Sequence, residues 1–178
     1  MQKLIDKSAP RTQSPVVHFK EAQCPMSASS PNTHYVLGFV FTPDPNYVLL
    51  ILKAGRSFDW QHGKLNGVGG AVDPGETAEQ AMQRECQEET GLTITAWQKF
   101  ATLRFQESLV HCYHSTTAQL FEAREQAGKD EPVEIHEVAE LTKPNDDVLY
   151  NVGWLVTMAR NHRGRGDQCV YEVSENAE

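Results

Sequence analysis

The period of the apolar positions changes twice along this chain. His34–Thr42 and Tyr47–Lys53 are β-branched and aromatic runs divided by Pro43-Asp-Pro-Asn46, which predicts two strands joined by a turn. Gly63–Gly70 is glycine-rich and reads as a loop with tight backbone conformations. A helix then opens at Thr77, which forms a capping box in sequence with Gln80, and Gly91 is placed to end it. Extended segments are expected at Thr93–Phe105, Cys112–Phe121 and Glu134–Val138. Leu149, Val152, Leu155, Val156 and Ala159 recur at helical spacing and predict a second helix over Asp147–Arg160. The sum is a mixed α/β domain, with strands on both sides of one central helix. We place this domain at residues 33–162. Residues 1–32 are expected to form an arm with a short extended piece at Val16–Phe19, and residues 163–178 a polar tail.

The central helix breaks the usual division of faces. With Ala78 at zero and 100° per residue, Ala81, Met82 and Cys86 fall at about 300°, 40° and 80° and define an apolar arc. Gln80, Gln83 and Gln87 lie opposite, at about 140–200°. Glu85, near 340°, and Glu89, near 20°, fall inside the apolar arc, with Glu88 on its rim at about 280°. A carboxylate on a buried face is costly unless a positive charge accompanies it. Three carboxylates within one turn also repel one another unless a cation holds them.

Composition sharpens this point. The 178 residues carry 24 acidic and 16 basic side chains, a formal net charge of −8, with 39% apolar residues. That is one soluble-type domain with enough apolar residues for a core. So acidic a chain is poorly suited to wrapping a nucleic acid. The longest apolar run, Tyr47–Leu52, is far short of a membrane span. Residues 70–92 hold Asp73, Glu76, Glu79, Glu85, Glu88 and Glu89 against Arg84 alone, so six acids and one base contribute −5 of the total. This block is either a solvated acidic face or a cation site. Hard ions such as Mg²⁺ take oxygen ligands of this kind and keep waters for substrate phosphates.

Cys24, Cys86, Cys112 and Cys169 are scattered with no CxxC pair, and Met1–Lys7 has no apolar core, so reduced thiols and a cytoplasmic setting are expected. His111-Cys-Tyr-His114 on a strand would send His111 and Cys112 to opposite faces, which disfavours a soft-metal site there. No repeat or heptad pattern is present.

The residues around this block spell a known pattern. Gly70, Glu76, Arg84-Glu85-Cys86-Gln87-Glu88-Glu89 and Gly91-Leu92 resemble the Nudix box, G-x5-E-x7-R-E-U-x-E-E-x-G-U, with Cys86 in the first apolar slot. The resemblance implies an α/β/α sandwich with a mixed β-sheet and a catalytic loop–helix–loop. It also implies Mg²⁺- or Mn²⁺-dependent hydrolysis of a nucleoside diphosphate linked to another group. In that case Glu85, Glu88 and Glu89 would be metal ligands beside the Gly69 carbonyl, with Glu76 and Arg84 supporting them by pairing. Glu88 or Glu89 is the first candidate for the proton-accepting carboxylate. Glu134 is the candidate remote acid, with Glu131 next.

Residues outside the box bear on the substrate. Ser108 stands where ADP-ribose hydrolases of this kind place a proline. Gly63-Lys-Leu-Asn-Gly-Val-Gly-Gly70 is similar to the stretch before the box in enzymes that cleave oxidised purine nucleoside triphosphates. That similarity makes Asn66 a candidate base contact. In the same enzymes an Asp-Asp pair precedes a Trp-containing helix, and here Asp146-Asp147 precedes Trp154 at a longer interval. The expected reaction is therefore a nucleoside triphosphate split to monophosphate and pyrophosphate. ADP-ribose, ADP-sugar or dinucleotide cleavage is the enzymatic alternative, and a nucleotide-sensing module without catalysis is the rival from another class. Messenger-RNA decapping has only the basic run Arg160–Arg165 in its favour. The resemblance also brings homodimers, which are frequent in the family.

Overall fold

The computed structural model describes residues 33–54, 61–105, 107–126, 131–143, 145–165 and 170–174; the expected extended piece at Val16–Phe19 lies outside them. The order of elements is β1 (Thr33–Phe41), β2 (Tyr47–Leu52), β3 (Leu65–Asn66), α1 (Ala78–Thr90), β4 (Gln98–Phe105), β5 (Ser108–Thr116), β6 (Val133–Glu137), α2 (Val138–Leu141), α3 (Val152–Arg165) and β7 (Tyr171–Ser174). The strands form one mixed sheet in the order β3-β2-β1-β5-β4-β7, with β6 on the other edge of β2. The β1–β5 and β4–β7 pairs are parallel and the rest antiparallel.

Alternation along β1 divides the core in two. Leu37, Phe39 and Phe41 join Leu50, Phe100, Cys112, Leu155 and Val156 on the α2–α3 side. Val36 and Val40 join Leu49, Ile51, Ala81, Met82 and Cys86 on the α1 side. The result is an α/β/α sandwich, with its sheet buried on both faces. No helix among the described residues is long and apolar enough to cross a membrane.

One irregularity positions the site. β1 and β2 share only two registered pairs, Val40 with Leu49 and Phe41 with Val48. Beyond them the segment 65–71 runs alongside both strands. Leu65 and Asn66 pair with β2, and then Val68 bridges Gly38 and Ala71 bridges Tyr35 on β1. The glycine-rich stretch expected as loop is therefore stitched into the sheet, and it delivers Gly69 and Gly70 to α1.

Four sequence expectations move. The strand expected from Thr93 starts at Gln98, and Leu92 and Ile94 are buried in the irregular segment before it. The strand expected over Cys112–Phe121 runs Ser108–Thr116. The Thr117 hydroxyl then accepts the Gln119 amide at 3.1 Å, and the chain turns into a 3-10 segment at Leu120–Glu122. The second helix starts five residues late, because Leu65 N–H donates to the Asp147 carbonyl at 2.8 Å and Leu149 N–H to the Leu65 carbonyl at 3.1 Å, holding 147–149 beside β3. The polar tail contains β7, whose Tyr171 and Val173 pack against the α3-side core while Glu172 and Ser174 face outward.

Candidate active site

Helix α1 is fixed at both ends before any ligand is considered. Gln80 N–H donates to Thr77 Oγ1 at 3.2 Å and Thr77 N–H to Gln80 Oε1 at 2.8 Å, and Gly91 caps the other end in the left-handed conformation. The helix lays Ala81, Met82 and Cys86 on the sheet and takes Glu85 and Glu89 down with them. These two carboxylates retain only 8% and 4% of their exposure. Glu88 stays on the exposed side of the same turn.

Two glycines let the preceding segment approach the helix. A Cβ on Gly69 would lie 2.0 Å from the Val36 carbonyl oxygen, and one on Gly70 would lie 2.3 Å from Glu85 Oε1. The Gly69 amide donates to Glu89 Oε2 at 2.9 Å, so the loop backbone touches both buried carboxylates.

Each buried carboxylate has its own internal cation. Arg84 donates from Nε and Nη2 to the two oxygens of Glu76 at 3.0 Å each, and from Nη1 to Glu85 Oε1 at 2.7 Å. Arg84 Nη2 also reaches the Ala71 carbonyl at 3.0 Å, and Nη1 lies 3.7 Å from Glu88 Oε2. The hydrogen bond from Arg84 holds the Glu76 carboxyl below its ordinary value, and Glu76 in turn raises the Arg84 pKa. Lys53, just past β2, donates to Glu89 Oε1 at 2.8 Å and to Glu131 Oε2 at 3.0 Å. Burial pushes Glu89 up to about 7 against the pull of Lys53 and the Gly69 amide. Burial also works against the Lys53 ammonium, but the Glu89 and Glu131 charges outweigh it and raise its pKa.

The sequence candidates divide. Arg84, Glu85, Glu88, Glu89, Glu76 and Gly69 share one site. Glu134 does not join it. Its register partner on β2 is Leu50, which belongs to the α3-side core, so Glu134 faces away from α1 and accepts from His136 Nε2 at 2.8 Å when that nitrogen carries the proton. Glu131 reaches the site instead. Asn66 pairs with Ile51, on the α1 face, and its Oδ1 accepts the Gly67 amide at 2.8 Å while Nδ2 donates to Gln61 Oε1 at 3.3 Å. Asp146 and Asp147 are exposed, and their carbonyls accept from the Lys64 ammonium and the Leu65 amide, next in sequence to Asn66. Trp154 sits on α3 with 37% of its surface exposed. Lys53 was not among the candidates. It follows an apolar strand, and its partners lie 36 and 78 residues away, so no local pattern marks it.

Among the described residues no three Asp, Glu, His or Cys side chains converge on one point as they stand. The donors still suit a hard divalent cation, because buried carboxylate oxygens are present and their charge is balanced here by cations of the chain itself.

A family model described as the NUDIX domain matches residues 32–153. The chain belongs to the Nudix family. An oxidized purine nucleoside triphosphate hydrolase of Danio rerio is 43% identical over 74 residues, 42% of this chain and 46% of that protein, so the chain spans about half the length of this relative. A NUDIX-family hydrolase from Clostridium perfringens superposes with a TM-score of 0.60 at 20% identity, over 72% of this chain and 96% of that one. The NUDIX domain of Shewanella oneidensis NrtR, solved with ADP ribose, gives a TM-score of 0.58 at 22% identity, over 78% and 90% of the two chains. These two likenesses establish the Nudix fold.

Proposed function

We propose that the chain hydrolyses a pyrophosphate bond of a nucleotide, with a purine nucleoside triphosphate, oxidised purines included, as the leading substrate and monophosphate and pyrophosphate as products. The observation that carries this reading is the burial of Glu85 and Glu89 against the Gly69–Gly70 segment, an arrangement that invites a cation. The relative from Danio rerio supports the choice of substrate.

Glu85, Glu88 and Glu89 would hold Mg²⁺, with Mn²⁺ as a substitute. Such an ion supplies charge neutralisation at phosphoryl oxygens and acidifies water. Arg84, locked by Glu76, keeps Glu85 in place. The attacking water needs a carboxylate to accept its proton; Glu88, Glu89 and Glu131 are the ones at the site, and Glu131 replaces Glu134 as the remote candidate. Asn66, Asp146, Asp147 and Trp154 form the proposed base-recognition set, with the loop of Asp146-Asp147 tied by backbone to the segment carrying Asn66. Buried free thiols at Cys86 and Cys112 fit a reducing, cytoplasmic setting.

The test is a panel of nucleoside triphosphates, ADP-ribose and dinucleotides with Mg²⁺, with products identified by mass. Monophosphate with pyrophosphate from purine triphosphates supports the proposal. Faster cleavage of ADP-ribose replaces the substrate, and nucleotide binding without turnover replaces the enzyme by a sensing module.

A further inference from the structure

We propose that Lys53 is a displaceable counter-cation, which holds Glu89 and Glu131 together and yields to a divalent cation. This rests on the reading of α1 as a metal site.

The Lys53 ammonium bridges Glu89 and Glu131, 2.8 and 3.0 Å away, with side-chain exposures of 13% for Lys53, 4% for Glu89 and 23% for Glu131. The second oxygen of Glu89 is taken by the Gly69 amide. Both oxygens of the most buried carboxylate are thus engaged, and one of the two partners is a point charge of the kind a metal ion would replace. Without it, Glu89 would be a buried anion next to a second carboxylate, an expensive arrangement.

The two cations of the site differ in their freedom to leave. Arg84 is clamped by both oxygens of Glu76, by the Ala71 carbonyl and by Glu85, so its planar fork is fixed from several sides. Lys53 hangs on a flexible stem. Its backbone is pinned, with its amide donating to the Lys64 carbonyl at 2.9 Å and its carbonyl accepting the Gly63 amide at 2.7 Å. Release of the ammonium therefore requires only side-chain rotation. An ammonium and a divalent ion cannot both touch Glu89 Oε1 without strong repulsion, so metal affinity contains the work of moving Lys53. Arg84 is then the permanent support and Lys53 the exchangeable one.

Direct titration of Mn²⁺, with the free ion read by electron paramagnetic resonance, tests this on the intact wild type and on Lys53→Met, Lys53→Arg and Glu89→Gln. Lys53→Met is expected to bind Mn²⁺ about tenfold tighter than wild type, whereas Lys53→Arg, which keeps the competing charge, stays within about threefold. Metal-free Lys53→Met should melt earlier than wild type, and Mn²⁺ should raise its melting temperature more. Lys53→Gln serves if Lys53→Met fails to fold. A folded neutral variant whose affinity is within about twofold of wild type, or weaker, overturns the proposal while leaving the metal reading intact. Wild-type Mn²⁺ binding that is absent, or unchanged by Glu89→Gln, overturns the metal reading and the proposal with it.

Discussion

Gly70 separates the needs of the site from the needs of the fold. In Gly70→Ala the new Cβ would lie 2.3 Å from Glu85 Oε1, 2.6 Å from Cδ and 3.0 Å from Oε2. Ordinary carbon–oxygen contact requires the carboxylate to retreat by about an ångström. These three nearest atoms all belong to the end of one side chain, which can rotate. The cost is the Glu85 rotamer and its bond to Arg84, roughly 1 kcal/mol, and the lost flexibility of the unfolded chain returns about half of that. For a chain of this size the melting temperature should fall by no more than about 4 °C. Displacing a positioned carboxylate by that distance should instead lower kcat about 100-fold. Gly69→Ala is the control. Its Cβ would lie 2.0 Å from the Val36 carbonyl oxygen and 2.9 Å from the Val36 carbonyl carbon, both backbone atoms of β1 that cannot move alone. It should destabilise the fold by about 3 kcal/mol or more. Calorimetry and initial rates of pyrophosphate release read both effects. Wild-type turnover in Gly70→Ala would refute the assignment of Glu85 to the chemistry, and equal destabilisation by the two variants would refute the separation of site from fold.

Two further outcomes are expected. Asn66→Ala should raise KM for purine nucleoside triphosphates about tenfold, the value of one or two hydrogen bonds, and leave ADP-ribose unaffected; equal effects on both reduce Asn66 to a turn residue. His114 is buried against His162, with 2.9 Å between His114 Nε2 and His162 Nδ1, and burial, helped by His162 and Arg163, lowers its pKa to about 4. The unfolded chain takes up a proton on this imidazole near pH 6.5 and the folded chain does not. Stability is therefore complete above pH 6.5, declines as pH falls, and has lost up to about 3 kcal/mol once pH reaches 4. Urea midpoints across that window should flatten in His114→Gln, and an unchanged slope counts against the buried neutral imidazole.

What the sequence revealed follows from the range of the forces involved. Helix α1 was legible because its cap, its apolar arc and the misplaced Glu85 and Glu89 are all local, and the structure buries those two carboxylates as the helical period requires. The layers on either side of β1 came from the family resemblance, because β1 is a continuous apolar run buried on both faces and its sequence does not tell the two faces apart. Three features depended on contacts between distant segments. Lys53 acquires its meaning only when β2, α1 and the residues before β6 meet. Glu134 lost its place because alternate residues on a strand face opposite ways, and its pairing with Leu50 turns it toward α3. β7 reads as polar tail because an edge strand alternates polar with half-buried residues, and only β4 beside it supplies the ladder. The start of α3 was misplaced for a similar reason, since Leu65 holds residues 147–149 beside β3 although their apolar spacing continues that of the helix.

If the proposed function is right, the buried carboxylates of α1 support cation-dependent cleavage of a nucleotide pyrophosphate bond. It is tested most directly by the rate of monophosphate formation from a purine nucleoside triphosphate, for wild type and Glu89→Gln, each with Mg²⁺ and with EDTA. Turnover is expected only for the wild type with Mg²⁺, with a loss of about 1,000-fold or more in folded Glu89→Gln. Equal rates in the two proteins, or a wild-type rate indifferent to EDTA, would contradict it.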